Sequence, residues 1–396
     1  MRQAWGLIGA LLVTATAIAG LGPEVPLAPA DNPGATQRYV NVAQASGHML
    51  AVWSDGQLRG TLDGVPLDLA SAGAPTAIIG VAAGSRTFLI AYQIQMTASP
   101  YYTPVLALRI GFDRRVLDPL PITVDADTHG IWGGNVAYDG SDFMIVTMEK
   151  HAYVSIIPAH TIVTGRVSED GVVLGNLRLD ASTSSGSPRW PRIAWASGQF
   201  VIGYAVEFFG SEGISAVGMS VLTMQAQESG SRLLSDSQFP NAGISSQQPA
   251  IAVGFDRVTL AWMDAPVNAR VTINIAQTDL DGRPLLAPAV IAVVNGAIGS
   301  GRRVELVWDG QAYLVAWTPA GYQQTATIQA LRLSYYGSPL DGYPFDIADG
   351  ASGDFTLTAL PPGFAIGYSR QNGTTLRAYM RTIDRAPYPQ RRRAVR

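Results

Sequence analysis

The residues of this sequence with the clearest chemical potential are carboxylates, arginines and tryptophans that fall at equivalent points of a recurring pattern. Asp55, Glu149 and Asp264 each stand two residues past the end of an apolar segment, and Arg370 holds the same position in a further copy. The segments that join one copy to the next carry His129 and Trp132, then Arg189, Trp190 and Arg192, then Arg302 and Arg303. Two carboxyl groups roughly 5–9.5 Å apart can cleave a glycosidic bond, one protonating the leaving oxygen and the other activating water or attacking. Arginines can hold uronates or sulfates through two parallel N–H bonds, and tryptophans offer flat faces to sugar rings. Asp55, Glu149, Asp264 and His129 are therefore the catalytic candidates. Trp132, Arg189, Trp190, Arg192, Arg302, Arg303 and Arg370 are the ligand-binding ones. Loops are polar in any fold, and Trp132 and Trp190 could equally plug gaps between elements.

Other chemistry is poorly provided for. His48, His129, His151 and His160 are the four histidines. His48 falls in a hairpin turn, where solvation explains it. His151 and His160 flank a loop beside Glu149, but at a spacing that matches no metal-ligand pattern. Asp279-Leu280-Asp281-Gly282 opens like a calcium loop yet lacks the later glutamate, so a turn is expected. No Gly-x-Ser-x-Gly elbow, phosphate-binding glycine loop or dinucleotide fingerprint occurs. With no cysteine anywhere, disulfides, thiol catalysis and zinc–thiolate sites are excluded. Neither a metal nor a cofactor is expected.

The elements that must position these residues follow from the repeat. Seven apolar segments end in an anchor, most with a small residue just before it: Trp53, Tyr92, Thr147, Tyr204, Trp262, Trp317 and Tyr368, of which Thr147 departs from the large residue of the others. Successive anchors stand 39, 55, 57, 58, 55 and 51 residues apart, a period that signals a propeller or another array. A short strand precedes each anchor segment, joined through turns such as Asp139-Gly140 and Asp309-Gly310. Such pairs favour hairpins because glycine accepts positive φ. A third strand follows, then a turn such as Asp63-Gly64 or Asp170-Gly171, then a fourth strand. The anchor segments are continuously apolar, which suits strands covered on both faces. Four antiparallel strands make one propeller blade, so an all-β, seven-bladed β-propeller is expected. The last unit lacks a fourth strand. Residues 24–31 resemble the other fourth strands and are expected to complete it, removing an open sheet edge.

Trp308-Asp309-Gly310-Gln311-Ala312-Tyr313-Leu314-Val315-Ala316-Trp317 resembles a repeat common in secreted bacterial proteins, with the core "DG-x-x-aromatic-L-V-A-W". Arg166 to Gly171 carries the second half of that pattern, an arginine followed by an Asp-Gly turn. The resemblance spans Tyr39 to Asp384. It implies β-propeller architecture and no particular activity.

Composition agrees. Hydrophobic residues make up 47% of 396 residues and charged residues only 14%, so a large core is available. Met1 to Ala19 reads as a signal peptide, with Arg2, an apolar centre at Leu7 to Val13 and a small-x-small end at Ala17-Ile18-Ala19. No later segment is long and apolar enough to cross a bilayer. A single domain over 20–384 and a basic, disordered tail over 385–396 are expected. Between signal and tail stand 21 basic and 30 acidic residues, a net of −9. That balance argues against nucleic acid as a partner. The resulting expectation is an exported monomer in the periplasm, on the cell surface or outside the cell. It would act as a non-catalytic binding or scaffold module that recognises a protein or polysaccharide through its loop-rich face. The alternative is a glycan-cleaving hydrolase or lyase.

Overall fold

The computed structural model describes residues 20–27, 34–94, 103–126, 133–150, 160–179, 186–208, 215–223, 228–233, 247–264, 270–294, 303–319 and 324–385. Apart from one 3-10 turn at Ala70–Ala72, all regular structure among them is β. The chain begins with β1 (Val25–Pro26) and then builds successive antiparallel sheets. The first holds β2 (Arg38–Ala45), β3 (His48–Ser54), β4 (Leu58–Leu62) and β5 (Val65–Pro66). The second holds β6 (Pro75–Ala83), β7 (Thr87–Ile94), β8 (Val105–Gly111) and β9 (Ile122–Asp125). The third holds β10 (Gly134–Tyr138), β11 (Asp142–Lys150), β12 (His160–Ser168) and β13 (Val173–Leu179). The fourth holds β14 (Gly186–Ala196), β15 (Gln199–Phe208), β16 (Ser215–Thr223) and β17 (Glu228–Leu233). The fifth holds β18 (Gln247–Val253), β19 (Arg257–Asp264), β20 (Val271–Asp279) and β21 (Pro284–Val294).

The remaining strands form one seven-stranded sheet: β22 (Arg303–Trp308), β23 (Tyr313–Thr318), β24 (Thr325–Leu333), β25 (Phe345–Ala359), β26 (Gly363–Asn372) and β27 (Thr375–Asp384), with β1 on its edge. Strand β25 serves twice. Its first half pairs with β24, and its second half, from Phe355, pairs with β26. Strand β1 lies antiparallel to β27, Val25 opposite Met380. Of the expected strand 24–31, residues 28–31 lie outside the described residues. The expected signal peptide and residues 386–396 do too. Arg385, at the head of the expected tail, is anchored: its guanidinium donates to Asp309 Oδ2 at 2.7 and 2.9 Å.

The apolar anchor segments become second strands buried on both faces. Phe88 to Tyr92 and Tyr313 to Trp317 are wholly enclosed, which is why they do not alternate. Apolar clusters lie between successive sheets. One unites Leu50, Leu62, Phe88 and Tyr92 of the first and second. Another unites Phe200, Ile202, Tyr204 and Met144 of the third and fourth. The last joins Val40, Val42 and Trp53 of the first sheet to Ala378 of β27 and to Leu27. Small residues permit this contact. A Cβ at Gly367 would meet Val42 at 2.6 Å, and one at Gly80 would meet the Asn135 backbone at 3.0 Å.

The first strands of neighbouring sheets pack side by side, and β25 packs against β2. Side chains substitute there for the missing backbone ladder. Asn135 donates to the Ile193 carbonyl at 3.1 Å and accepts from the Ile193 amide at 2.7 Å. Thr356 Oγ1 donates to the Val40 carbonyl at 3.2 Å and accepts from the Val42 amide at 3.0 Å. At the opposite ends, Glu169 links the third sheet to the second. It accepts from the Ser85 hydroxyl and the Arg86 amide, both at 2.6 Å, and from the Tyr138 hydroxyl at 3.0 Å.

Candidate functional site

The first strands of all the sheets converge on one cavity of about 370 Å³, within the size range of small-ligand sites. Its wall is mostly Val, Ile, Ala and Leu, with Asn41, Asn135, Arg192, Arg303, Glu305 and Thr356 among the polar groups. The charges sit where several first strands are irregular. Bulges interrupt β2 between Arg38 and Asn41, β14 between Arg189 and Arg192, and β25 between Ala351 and Phe355. Tyr39 and Trp190, within two of these bulges, take φ values of 56° and 55°. A side chain pays a steric cost in that left-handed region, and such residues cluster at functional sites. Bulges also re-aim neighbouring side chains.

Three groups form the centre of the arrangement. Arg192 is buried, donates from Nη1 to the Gly134 carbonyl at 2.5 Å, and lies 3.6 Å from Glu305 Oε1. Arg303 donates from Nε to the same Glu305 oxygen at 2.6 Å. Desolvation lowers the Arg192 pKa to about 10; Glu305 opposes that shift and Arg303 adds to it. Glu305 is thus a carboxylate shared between two guanidiniums, fixed by its alternation with Arg303 on β22.

Asp354 completes the set. It lies where β25 leaves β24 and takes up β26, two residues before the cavity-lining Thr356. It is 8% exposed, and its Oδ2 has no hydrogen-bond partner among the described residues. Burial raises its pKa above the usual carboxylate range, against the pull of Arg303, Arg38 and a hydrogen bond from the Tyr39 amide. Asp354 does not itself line the cavity; it is a carboxyl held toward its neutral form by burial, within the electrostatic reach of the arginine that pairs with Glu305, a contrast that acid–base chemistry can use.

The structure disperses most of the residues singled out from the sequence. Asp55 is bound by Arg59 through both oxygens at 3.2 Å. Glu149 is buried against Arg178 at 3.2 Å, which also faces Asp125 at 3.7 Å. Asp264 ends β19, with a partner of its own. Arg370 meets Glu24 at 3.2 Å and stacks over Tyr379. Trp190 covers Gly133, its ring 2.9 Å from the position of an added Cβ, as a plug between first strands would. Arg189 begins the β14 bulge and is itself engaged. His129, Trp132 and Arg302 lie outside the described residues. Of the candidates among the described residues, only Arg192 and Arg303 line the cavity. His48 Nδ1 lies within hydrogen-bond distance of Asp63 Oδ2, at 2.8 Å, rather than being simply solvated. Asp279 caps its turn by accepting from the Asp281 and Arg283 amides. No group of metal-ligating side chains occurs among the described residues.

Glu305 and Asp354 escaped the sequence reading because both lie inside strands rather than in loops. A signal was present for each. Glu305 interrupts an apolar strand two residues after an arginine, and Asp354 follows Ser352-Gly353 at the head of one. A charge at a position that should face other first strands asks for a partner or a function.

No family model matches the chain, and no curated protein matches it. Solved structures do. A protein of unknown function from Dyadobacter fermentans is 9% identical with a TM-score of 0.56, covering 93% of this chain and 100% of its own. An α-L-arabinanase of Penicillium chrysogenum, complexed with arabinobiose, is 12% identical with a TM-score of 0.47, covering 92% and 97%. An α-L-arabinofuranosidase of Fusarium graminearum, bound to an iminosugar inhibitor, is 10% identical with a TM-score of 0.47, covering 91% and 96%. At such identities the likeness is one of fold: all-β, built of four-stranded antiparallel sheets of the propeller kind. The two named enzymes are glycoside hydrolases. The expectation of a non-catalytic binding or scaffold module is corrected accordingly: the named neighbours in fold are glycan-acting enzymes, the class of its alternative, and not binding modules.

Proposed function

We propose that the sheets form seven blades closed into a ring, and that the cavity on the ring's axis is the active site of an exported glycan-cleaving hydrolase. Three observations support the ring. Strand β25 divides the large sheet into two four-stranded parts, β1 supplies the outermost strand of the second, and Thr356 bridges β25 to β2. Export rests on the N-terminal sequence alone. No helix among the described residues is long and apolar enough to cross a membrane.

The observation that carries the hydrolase reading is the contrast around Arg303: Glu305 is ion-paired with it on the cavity wall, and the buried Asp354 feels its charge while keeping an unpartnered Oδ2. In this reading Asp354 is the general acid. Its buried, unpartnered Oδ2 favours the protonated form, and that proton goes to the glycosidic oxygen as the bond to the anomeric carbon breaks. Glu305, ion-paired with Arg303 and near Arg192, faces the developing positive charge at that carbon and serves as base or nucleophile. Catalysis by such a pair needs two carboxyls in different environments, and here one is ion-paired while the other is buried with an unpartnered Oδ2.

The test is a polysaccharide-degradation screen with the purified protein. Cleavage should be lost in Glu305→Gln. In Asp354→Asn it should fall by about 10²–10⁴-fold on natural glycans, and much less on aryl glycosides, whose leaving groups need no proton. Cleavage that survives both substitutions, or a protein that cleaves no glycan, would sink the assignment.

A further inference from the structure

We infer that the axial cavity takes an acidic sugar, a glycan unit carrying a carboxylate, rather than a neutral one. This rests on the hydrolase reading above and specifies its substrate class. The argument begins with charge. Arg192 and Arg303 both line the cavity, and among the described residues Glu305 is the one carboxylate ion-paired with either. Arg303 approaches it closely at 2.6 Å; Arg192 stands at 3.6 Å, beyond direct hydrogen-bond distance. A second acid, Asp354, faces Arg303 but is disfavoured as an anion by its own burial. The cavity therefore holds more fixed positive charge than negative.

Burying an under-compensated cation is costly unless something pairs with it. Arg192 is buried, its one hydrogen bond among the described residues goes to a backbone carbonyl at 2.5 Å, and its ionisation is made harder by desolvation. Structure alone gives no return for that cost, since an aliphatic side chain would fill the wall as the neighbouring Val42, Ile79 and Ile251 do. A ligand carboxylate gives one. The planar fork of a guanidinium matches a carboxylate through two N–H groups. Arg192 is also fixed by the β14 bulge, so little side-chain freedom would be lost on binding. The remainder of the wall mixes aliphatic side chains such as Val42, Ile79 and Ile251 with hydrogen-bonding ones such as Asn41, Asn135 and Thr356, which suits the hydrocarbon face and the hydroxyls of a sugar ring.

The experiment is isothermal titration of the Asp354→Asn protein, which retains both arginines, with D-glucuronate, D-galacturonate, D-glucose, D-galactose and a sulfated monosaccharide. The uronates should bind about tenfold or more tightly than their neutral counterparts. Added sodium chloride should weaken uronate binding and leave neutral sugars unaffected. The preference should vanish in Arg192→Met and fall in Arg303→Gln. If either variant fails to fold, the salt dependence decides. Equal binding of acidic and neutral sugars, or binding of neither, overturns the inference. A preference for sulfate over carboxylate overturns the carboxylate assignment. Cleavage of neutral glycans would sink this inference and leave the hydrolase reading intact. Uronate binding without cleavage of any glycan would sink that reading alone.

Discussion

Replacing Asp354 by asparagine should stabilise the protein while silencing it. Asparagine keeps the shape of the side chain and an oxygen to accept from the Tyr39 amide, but carries no charge into the site. A buried polar atom without a partner costs about 1–3 kcal/mol, and Asp354 Oδ2 is such an atom. Attraction from Arg303 and Arg38 offsets part of that cost but does not reverse it, because the net shift of the pKa is upward. A gain of about 1 kcal/mol at neutral pH follows, or roughly 2 °C in Tm for a chain of this size. The pH dependence fixes the sign. With the folded pKa above the unfolded value of about 3.9, the folded protein binds more protons between the two values, and stability falls as pH rises through that window. Below the unfolded value the carboxyl is neutral in both states and the variant's advantage should disappear. Thermal unfolding of both proteins across a pH series is the assay. A variant less stable than the parent at neutral pH would show that the carboxylate is a structural ion-pair partner, and the acid–base argument would fall with it.

Three further outcomes are expected. Glu169→Gln should cost about 1.5–3 kcal/mol in urea unfolding. Burial alone would raise the Glu169 pKa, but hydrogen bonds from Ser85, Arg86, Tyr138 and Thr87 outweigh it and hold it low. The stabilisation should therefore be present above the unfolded value of about 4.3 and be lost as pH falls through the folded one. Thr356→Val should cost about 1–3 kcal/mol by leaving the Val42 amide and Val40 carbonyl unmatched, measured by chemical denaturation; no loss would argue against a closed ring. In alkaline titration followed by phenolate absorbance, Tyr92, Tyr313 and Tyr368 should stay silent until the protein unfolds. Burial raises all three, Tyr313 to about 12, so stability should decline as pH climbs past the ordinary tyrosine value of about 10.

The architecture was legible because its signal is repeated. Each anchor segment, such as Tyr313 to Trp317, is too apolar for a strand with a wet face, and each is flanked by turn residues at the same offset. The pairing of Val25 and Pro26 with β27 could be read from the missing fourth strand of the last unit. The site was legible in its arginines only. Arg192 and Arg303 were found because propeller ligands gather near the segments that join blades. The carboxylates were sought in the loops after the anchors, and Asp55 and Glu149 there are spent on Arg59 and Arg178. Glu305 and Asp354 lie within strands, where the only mark they leave is a charge against an apolar run, and that mark does not say which neighbour the charge meets. The bulges beside Arg192 and Asp354 are a property of pairing register, which appears only when both partners are in place.

The uninterrupted run of β25 from one strand partner to the next has a bearing on how the molecule breathes. Elsewhere, separate sheets are tethered by intervening segments that could give way one sheet at a time. Between β24 and β26 there is no tether to slacken. Peeling Phe345–Ser352 from one side pulls directly on Phe355–Ala359 at the other. The seven strands of that sheet therefore form a single cooperative unit in the sense of native-state amide exchange. Asp354 stands where the pairing passes from β24 to β26, so that opening either half reaches its backbone directly.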